Sequence, residues 1–248
     1  MHPNLLFNNI GQTESTNNYA MEQIHAGLAK HGMAWFSDNQ TMGKGQRGKS
    51  WESQPGMNIA LSVVFEPVIP LFQHPFLFNM FISLTCRQFL QELIKEKVDI
   101  KWPNDLFIRD RKAVGLLIEN KYRGNTWNWS IVGIGINVNQ TSFAESLKNA
   151  ISLRQISGET YHPEFLATKL HDYLLSEMNN IAEKGTEKIL FDYNQHLYKI
   201  GEKVTLKKDD STFDATIKGV NERGQLITRD IVERVFQFGE VEWVKAVE

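Results

Sequence analysis

Four short stretches hold the residue types that could bind and activate an anionic substrate. Gly43-Lys44-Gly45-Gln46-Arg47-Gly48-Lys49-Ser50-Trp51 places three glycines and three cations within seven residues. Glycine lets a ligand approach backbone N–H groups closely, and the cations are charge-assisted donors to phosphate or carboxylate oxygens. By residue type alone this is equally a solvated basic turn. It matches neither a Walker loop nor a dinucleotide fingerprint. Lys101-Trp102-Pro103-Asn104-Asp105 gathers a cation, an amide and a carboxylate around a proline. Arg111-Lys112-Ala113-Val114-Gly115-Leu116-Leu117-Ile118-Glu119 starts basic and turns apolar, as a strand would. Gly133-Ile134-Gly135-Ile136-Asn137-Val138-Asn139 puts glycines inside a strand, where a ligand or another backbone must come close.

In this order and spacing, the four stretches resemble the signature of the biotin–protein ligases, the biotin–[acetyl-CoA-carboxylase] ligases. The resemblance extends from about Phe7 to the C-terminus, and Lys-Trp-Pro-Asn-Asp is its most specific part. It implies two steps. Biotin's carboxylate attacks the α-phosphorus of ATP to give biotinyl-5′-adenylate and pyrophosphate. A lysine of a biotin carboxyl carrier protein then takes the biotinyl group and releases AMP.

The resemblance also assigns residues. Ser15, Thr16 and Asn17, which by type alone are helix-capping residues, would line the biotin pocket with Gln40. In the loop, Gly43, Lys44, Gly45, Gln46 and Arg47 would hold biotin, and Lys44, Gln46 and Arg47 the adenylate as well. Lys112, otherwise an ordinary lysine beside Arg111, would meet the biotin carboxylate and the α-phosphate. Gly115, Leu116, Gly133 and Gly135 would wall biotin's ring and tail. Trp51 would face adenine, Asn137 would read its edge and Asn104 would join the nucleotide site. Asp105 would bind Mg²⁺ or orient the incoming lysine; a rigid turn that merely fixes Lys101 is the plainer alternative. The catalytic set is thus Lys112, Arg47, Lys44 and Asp105, with no resident metal and with Mg²⁺ accompanying ATP. Two departures stand out. Gln46 occupies a position where much of the family has arginine or lysine, and Lys49 replaces a frequent arginine.

The elements that must position these residues follow from periodicity and capping. A first strand is expected over Leu5–Ile10. Next comes a helix from the Ser-Thr-Asn triplet to about Ala29, with Tyr19, Ala20, Ile24 and Leu28 on one face. Met33–Phe36 reads as a strand, and Asn58–Phe65 alternates as a half-buried one. A long apolar helix opens at Pro75 and runs to about Lys97. Val98–Trp102, Ala113–Tyr122 and Thr126–Val138 are strands, the last two joined by an Arg123-Gly124-Asn125 turn. Helices follow over Pro163–Ala182, with Phe165, Leu166, Leu170, Leu174, Met178 and Ile181 inward, and over Glu187–His196.

The expected class is α+β, a mixed β-sheet packed with helices, similar to class II synthetases. From about Lys199, short strands at close spacing read as a small all-β barrel, which the resemblance likens to a Src homology 3 (SH3-like) barrel. The boundaries are therefore 1–197 for the catalytic domain and 198–248 for the barrel.

With 248 residues, 42% apolar, one or two domains are expected. A net charge of −2 argues against nucleic acid as the main partner. A single cysteine, Cys86, suits a reducing cytosol. No secretory leader or membrane span is recognisable, so a cytoplasmic enzyme is expected, monomer or homodimer. Larger family members begin with a helix-turn-helix domain; this chain starts at the first catalytic strand and is expected to be a ligase only. A lipoate or octanoate–protein ligase of the same fold, and a non-catalytic biotin sensor, are the alternatives.

Overall fold

The computed structural model describes residues 6–67 and 74–244. Leu5 lies outside the described residues. The chain opens with β1 (Phe7–Asn9) and the two-residue β2 (Gln12–Thr13). Ser15 caps α1 (Thr16–His25) by accepting from the Asn18 N–H. The helix stops earlier than its apolar pattern predicts. Gly27 turns the chain at φ +70°, and Leu28 is left exposed, while Tyr19, Ala20 and Ile24 pack together as expected.

β3 (Ala34–Ser37) leads to β4 (Asn39–Gln40), which pairs in parallel with β2. β5 (Ile59–Phe65) is buried along its whole length, not half-buried as its alternation predicts. It is a central strand, flanked by β3 on one side and, on the other, by a strand from further along the chain.

The long helix α2 (Pro75–Leu93) buries Phe78, Met80, Phe81 and Ile82 almost completely. Each such side chain stabilises the fold by about 1.5–3 kcal/mol relative to exposure. β6 (Asp99–Lys101) and β7 (Asp105–Ile108) follow; β7 was not expected. The main hairpin is β8 (Arg111–Arg123) and β9 (Thr126–Ile136), turning at Gly124 as predicted. α3 (Leu153–Ser157) carries a capping box between Ser152 and Gln155. α4 (Pro163–Asn179), α5 (Ile181–Lys184) and α6 (Thr186–Gln195) complete this part. Phe165, expected inward on α4, is 60% exposed, whereas Leu166, Leu170, Leu174 and Met178 are buried. It sits in the first turn, ahead of the stripe that meets the sheet.

The first sheet has seven strands in the order β1-β3-β5-β9-β8-β7-β6 and is mixed, with β1 parallel to β3 and the remaining pairs antiparallel. One face, with Leu61, Val63, Ile134 and Leu116, packs on α2 and α4 in one large core. The opposite face carries Ala60, Ser62, Gly133, Gly135 and Gly115 and holds the site.

The last part is β10 (Lys203–Lys208), β11 (Ser211–Val220), β12 (Leu226–Arg229), β13 (Glu233–Phe236) and β14 (Glu242–Trp243). These form a five-stranded antiparallel sheet in the order β13-β12-β11-β10-β14. It fits an SH3-like module, although the outer strands β13 and β14 are not paired with each other among the described residues. Trp102 ties the two sheets together. Its indole N–H donates to Gly224 O at 2.9 Å and its ring meets Phe238 edge-on. Among the described residues no helix is long and apolar enough to cross a membrane.

Candidate active site

A cavity of about 450 Å³ lies on the glycine face of the seven-stranded sheet. The register explains its floor. Ser62 pairs with Gly133 and Gly133 with Leu117; one step along, Ala60 pairs with Gly135 and Gly135 with Gly115. Successive side chains alternate between faces, so these positions form one surface that, Leu117 apart, has little side-chain bulk.

What fills that surface is Trp51. A Cβ on Gly135 would lie 2.4 Å from its indole, and one on Gly115 would lie 2.9 Å away. The aromatic ring therefore rests on bare backbone, and its buried Nε1 has no hydrogen-bond partner among the described residues. The loop that delivers it is closed on itself. Trp51 N donates to Gly43 O at 2.8 Å and Gly45 N to Lys49 O at 2.7 Å. Arg47 sits at the turn with φ 54°, a left-handed conformation that a non-glycine residue adopts at a cost. Its Nη1 donates to Gly239 O of the second sheet at 3.3 Å, and Lys44 Nζ donates to Asn18 Oδ1 at 2.5 Å.

Lys112 reaches the cavity because of a β-bulge. Residues 112 and 115 differ by an odd number and would face opposite sides of a regular strand. The register against β7 slips at Ala113: Phe107 pairs with Lys112 but Leu106 with Val114. One extra residue on β8 rotates Lys112 onto the glycine face, within 3.2 Å of where a Cβ of Gly115 would be. There Nζ forms an ion pair with Asp105 Oδ1 at 2.7 Å and lies 5.8 Å from the Trp51 ring centroid.

At the other end of the floor is a polar network. Thr16 donates to Gln40 Oε1 from its backbone N at 2.8 Å and is within 3.1 Å through its hydroxyl. Ser62 Oγ lies 2.6 Å from Asn17 Oδ1 and 2.8 Å from Thr16 Oγ1. Asn17 Nδ2 donates to Leu117 O and to the Glu119 carboxylate, and its oxygen is 2.3 Å from where a Cβ of Gly133 would be.

The cavity therefore gathers Ser15, Thr16, Asn17, Gln40, Lys44, Gly45, Gln46, Arg47, Trp51, Asp105, Lys112, Gly115, Gly133, Gly135 and Asn137. Three expected residues behave differently. Asn104 is buried and donates to Leu116 O at 2.6 Å, outside the cavity, because it holds the β7 turn against β8. Gly43 is buried at the neck of the loop, where a Cβ would strike Trp51 O at 2.3 Å. It shapes the loop without lining the cavity. Leu116 borders the cavity, but by alternation its side chain belongs to the core; Leu117 shares the face of Gly115.

Several lining residues were not expected at the site: Phe143 and Leu147 from the segment that follows β9, Phe238 and Gly239 from the turn between β13 and β14, and Glu242 and Trp243 from β14. Ser62 and Glu119 could have been found by counting strand parity from the glycines. Lys101 lies at the rim with its ammonium over the rings of Phe107 and Trp243, at 4.6 and 5.2 Å.

Comparison with known proteins shows the family and the fold. The model of the biotin/lipoate A/B protein ligase family matches residues 10–137. The bifunctional ligase/repressor BirA of Bacillus spizizenii is 30% identical over 84% of this chain and 65% of its own length. This chain thus spans just under two thirds of that relative. The biotin–[acetyl-CoA-carboxylase] ligase of Paracoccus denitrificans is 26% identical, with 89% and 92% of the two chains covered. Among solved structures, the biotin protein ligase of Aquifex aeolicus in complex with biotin and ATP superposes with a TM-score of 0.81. It is 23% identical, with 98% and 100% of the chains covered, and supports the fold.

Proposed function

This chain belongs to the biotin/lipoate A/B protein ligase family, and we propose that it is a biotin–protein ligase. It would activate biotin with ATP to biotinyl-5′-adenylate and pass the biotinyl group to a lysine of a biotin carboxyl carrier protein, that of acetyl-CoA carboxylase first. The observation that carries this reading is Lys112, turned by a bulge onto a glycine floor beside Asp105 and facing a cationic loop. A cavity that only bound biotin would have no use for this concentration of phosphate-neutralising cations.

The first step brings two anions together, so it needs preorganised positive charge. Lys112 would hold the carboxylate and the α-phosphate within reach of each other. One carboxylate oxygen bonds to phosphorus as the bond to pyrophosphate breaks. Lys44 and Arg47 would neutralise phosphate oxygens from the opposite wall, with Gln46 adding an uncharged donor. Trp51 would leave the floor and stack on adenine, with Asn137 at the base edge. In the second step the incoming amine attacks the mixed-anhydride carbonyl, AMP departs with the bridging oxygen, and the amine's proton is lost. Asp105, freed once Lys112 turns to the ligand, is the nearest carboxylate to orient that amine.

Mg²⁺ fits this site only as a companion of the phosphates. No cluster of three or more metal-binding side chains exists among the described residues, and Asp105 is a single carboxylate, a number suited to an ion held chiefly by phosphates and water. Bound there, it would screen phosphate charge. We place the domain boundary at 197/198, between α6 and the five-stranded sheet.

ATP–pyrophosphate exchange, measured with biotin, lipoate and octanoate separately, tests the assignment. Exchange with biotin alone supports it; exchange with lipoate or octanoate moves the chain to the other branch of its family.

A further inference from the structure

Glu119 is 102 residues from Asn17 in sequence, yet its carboxylate accepts from Asn17 Nδ2 at 2.7 Å. That contact determines which way round the Asn17 amide sits. An amide is nearly symmetric in shape, and only its partners decide which end faces where. Here both partners of Nδ2, the Glu119 carboxylate and Leu117 O, can only accept. The Leu117 contact is long, at 3.3 Å, so the carboxylate supplies most of the preference. Asn17 Oδ1 is consequently fixed against Gly133 on the cavity floor, with one lone pair taken by Ser62 Oγ and one left for a ligand. Gln40 is locked in the opposite sense. The Thr16 backbone N–H can only donate, so Gln40 presents Oε1 to it and keeps Nε2 on the side of Gly43.

The Glu119 lock gives this end of the cavity a defined acceptor at Asn17, while Gln40 turns its Nε2 towards the loop neck at Gly43. A cyclic urea has the matching N–H; a dithiolane or an alkyl chain has none. We infer that Glu119 is the positioning residue that makes this pocket select a ligand with an N–H donor, acting through the orientation of Asn17. The inference rests on the biotin reading above for the identity of that ligand. Glu119 is half-buried on β8 and outside the described core, so its replacement leaves the packing of the sheet intact.

The test is calorimetric titration of the whole protein with biotin, with biotin methylated on a ureido nitrogen, and with ATP. Wild type should bind biotin far more tightly than the methylated compound. In Glu119→Ala, biotin binding should weaken on the order of tenfold or more, the scale of a hydrogen bond to a charged group. The methylated compound and ATP should change little, so the preference between the two biotins shrinks. Glu119→Gln should restore most of the affinity, since its amide oxygen can still accept from Asn17. In an Asn17→Ala background, Glu119→Ala should have no further effect.

Unchanged biotin affinity in Glu119→Ala would overturn the inference. So would an equal loss for all three ligands, failure of the glutamine variant to restore binding, or additive losses in the double variant. Wild type that binds ATP but no biotin would instead overturn the ligand assignment, a result distinct from any of these.

Discussion

Lys112 Nζ lies 2.7 Å from Asp105 Oδ1, with both side chains about one-third exposed. The pair holds the ammonium at the cavity while no anion is present, and exposure at this level keeps its contribution to stability small. Lys112→Ala should therefore lower biotin-dependent pyrophosphate exchange by about 10²–10³-fold and shift the melting temperature little. Asp105→Asn should leave exchange within a few-fold but slow transfer to the carrier lysine. Equal losses in both steps from both variants would make the pair structural.

Gly135→Ala would place a methyl group 2.4 Å from the indole of Trp51. The ring must leave the floor, which a blue- or red-shifted tryptophan emission in the ligand-free protein would register. Biotin-adenylate affinity should fall by roughly tenfold, as buried misfits of this size cost about 1–3 kcal/mol. Emission and affinity identical to wild type would show that Trp51 does not rest there in solution.

Gln46 supplies a donor without charge at a loop position facing the cavity. Gln46→Arg should slow release of the adenylate, by roughly the factor of a few that a partly exposed ion pair supplies. Single-turnover formation followed by filtration measures the release directly. Protease cleavage within 43–51 should also diminish when biotin and ATP are added, if the loop closes on the intermediate.

His171 is buried, and its Nε2 lies 2.7 Å from Gly32 O. Burial holds the imidazole below its ordinary pKa of 6.5, outweighing the Gly32 carbonyl and the nearby Asp172. The unfolded chain thus binds a proton that the folded one resists. Stability is fully present above pH 6.5 and declines as pH falls towards the lower folded value, with a slope of at most ~1.4 kcal/mol per pH unit from this group. Urea unfolding from pH 7.5 to 5 should show less of this decline in His171→Gln.

Cys86 is fully buried on α2, and burial pushes its thiol up to about 12. An aromatic disulfide reagent should leave the native protein unlabelled and react with one thiol after denaturation. Rapid native labelling would contradict the packing of α2 against the sheet.

The sequence by itself determined most of the elements and the identity of the chemical groups. Alternation marked β5, apolar runs joined by an Arg123-Gly124-Asn125 turn marked β8 and β9, the capping triplet marked the start of α1, and glycine with cation content marked residues 43–51. Those signals are local, because propensity and periodicity are properties of a few adjacent residues. Where burial depended on neighbours, the reading failed. β5 is covered on both faces, and Phe165 lies outside the packed stripe of its helix.

The tertiary structure decided which groups meet. A one-residue bulge at Ala113 puts Lys112 on the same face as Gly115, and a one-residue change of register reverses every side chain beyond it. Arg47 and Gly239 are 192 residues apart, and the docking of the second sheet, through Trp102 and through Asn194 on Val220, brings them together. Asn17 has the composition of a capping residue, and it becomes an oriented acceptor only because β8 brings Glu119 beside it. Residue types name the available donors and acceptors, but register and packing fix the direction in which each one points.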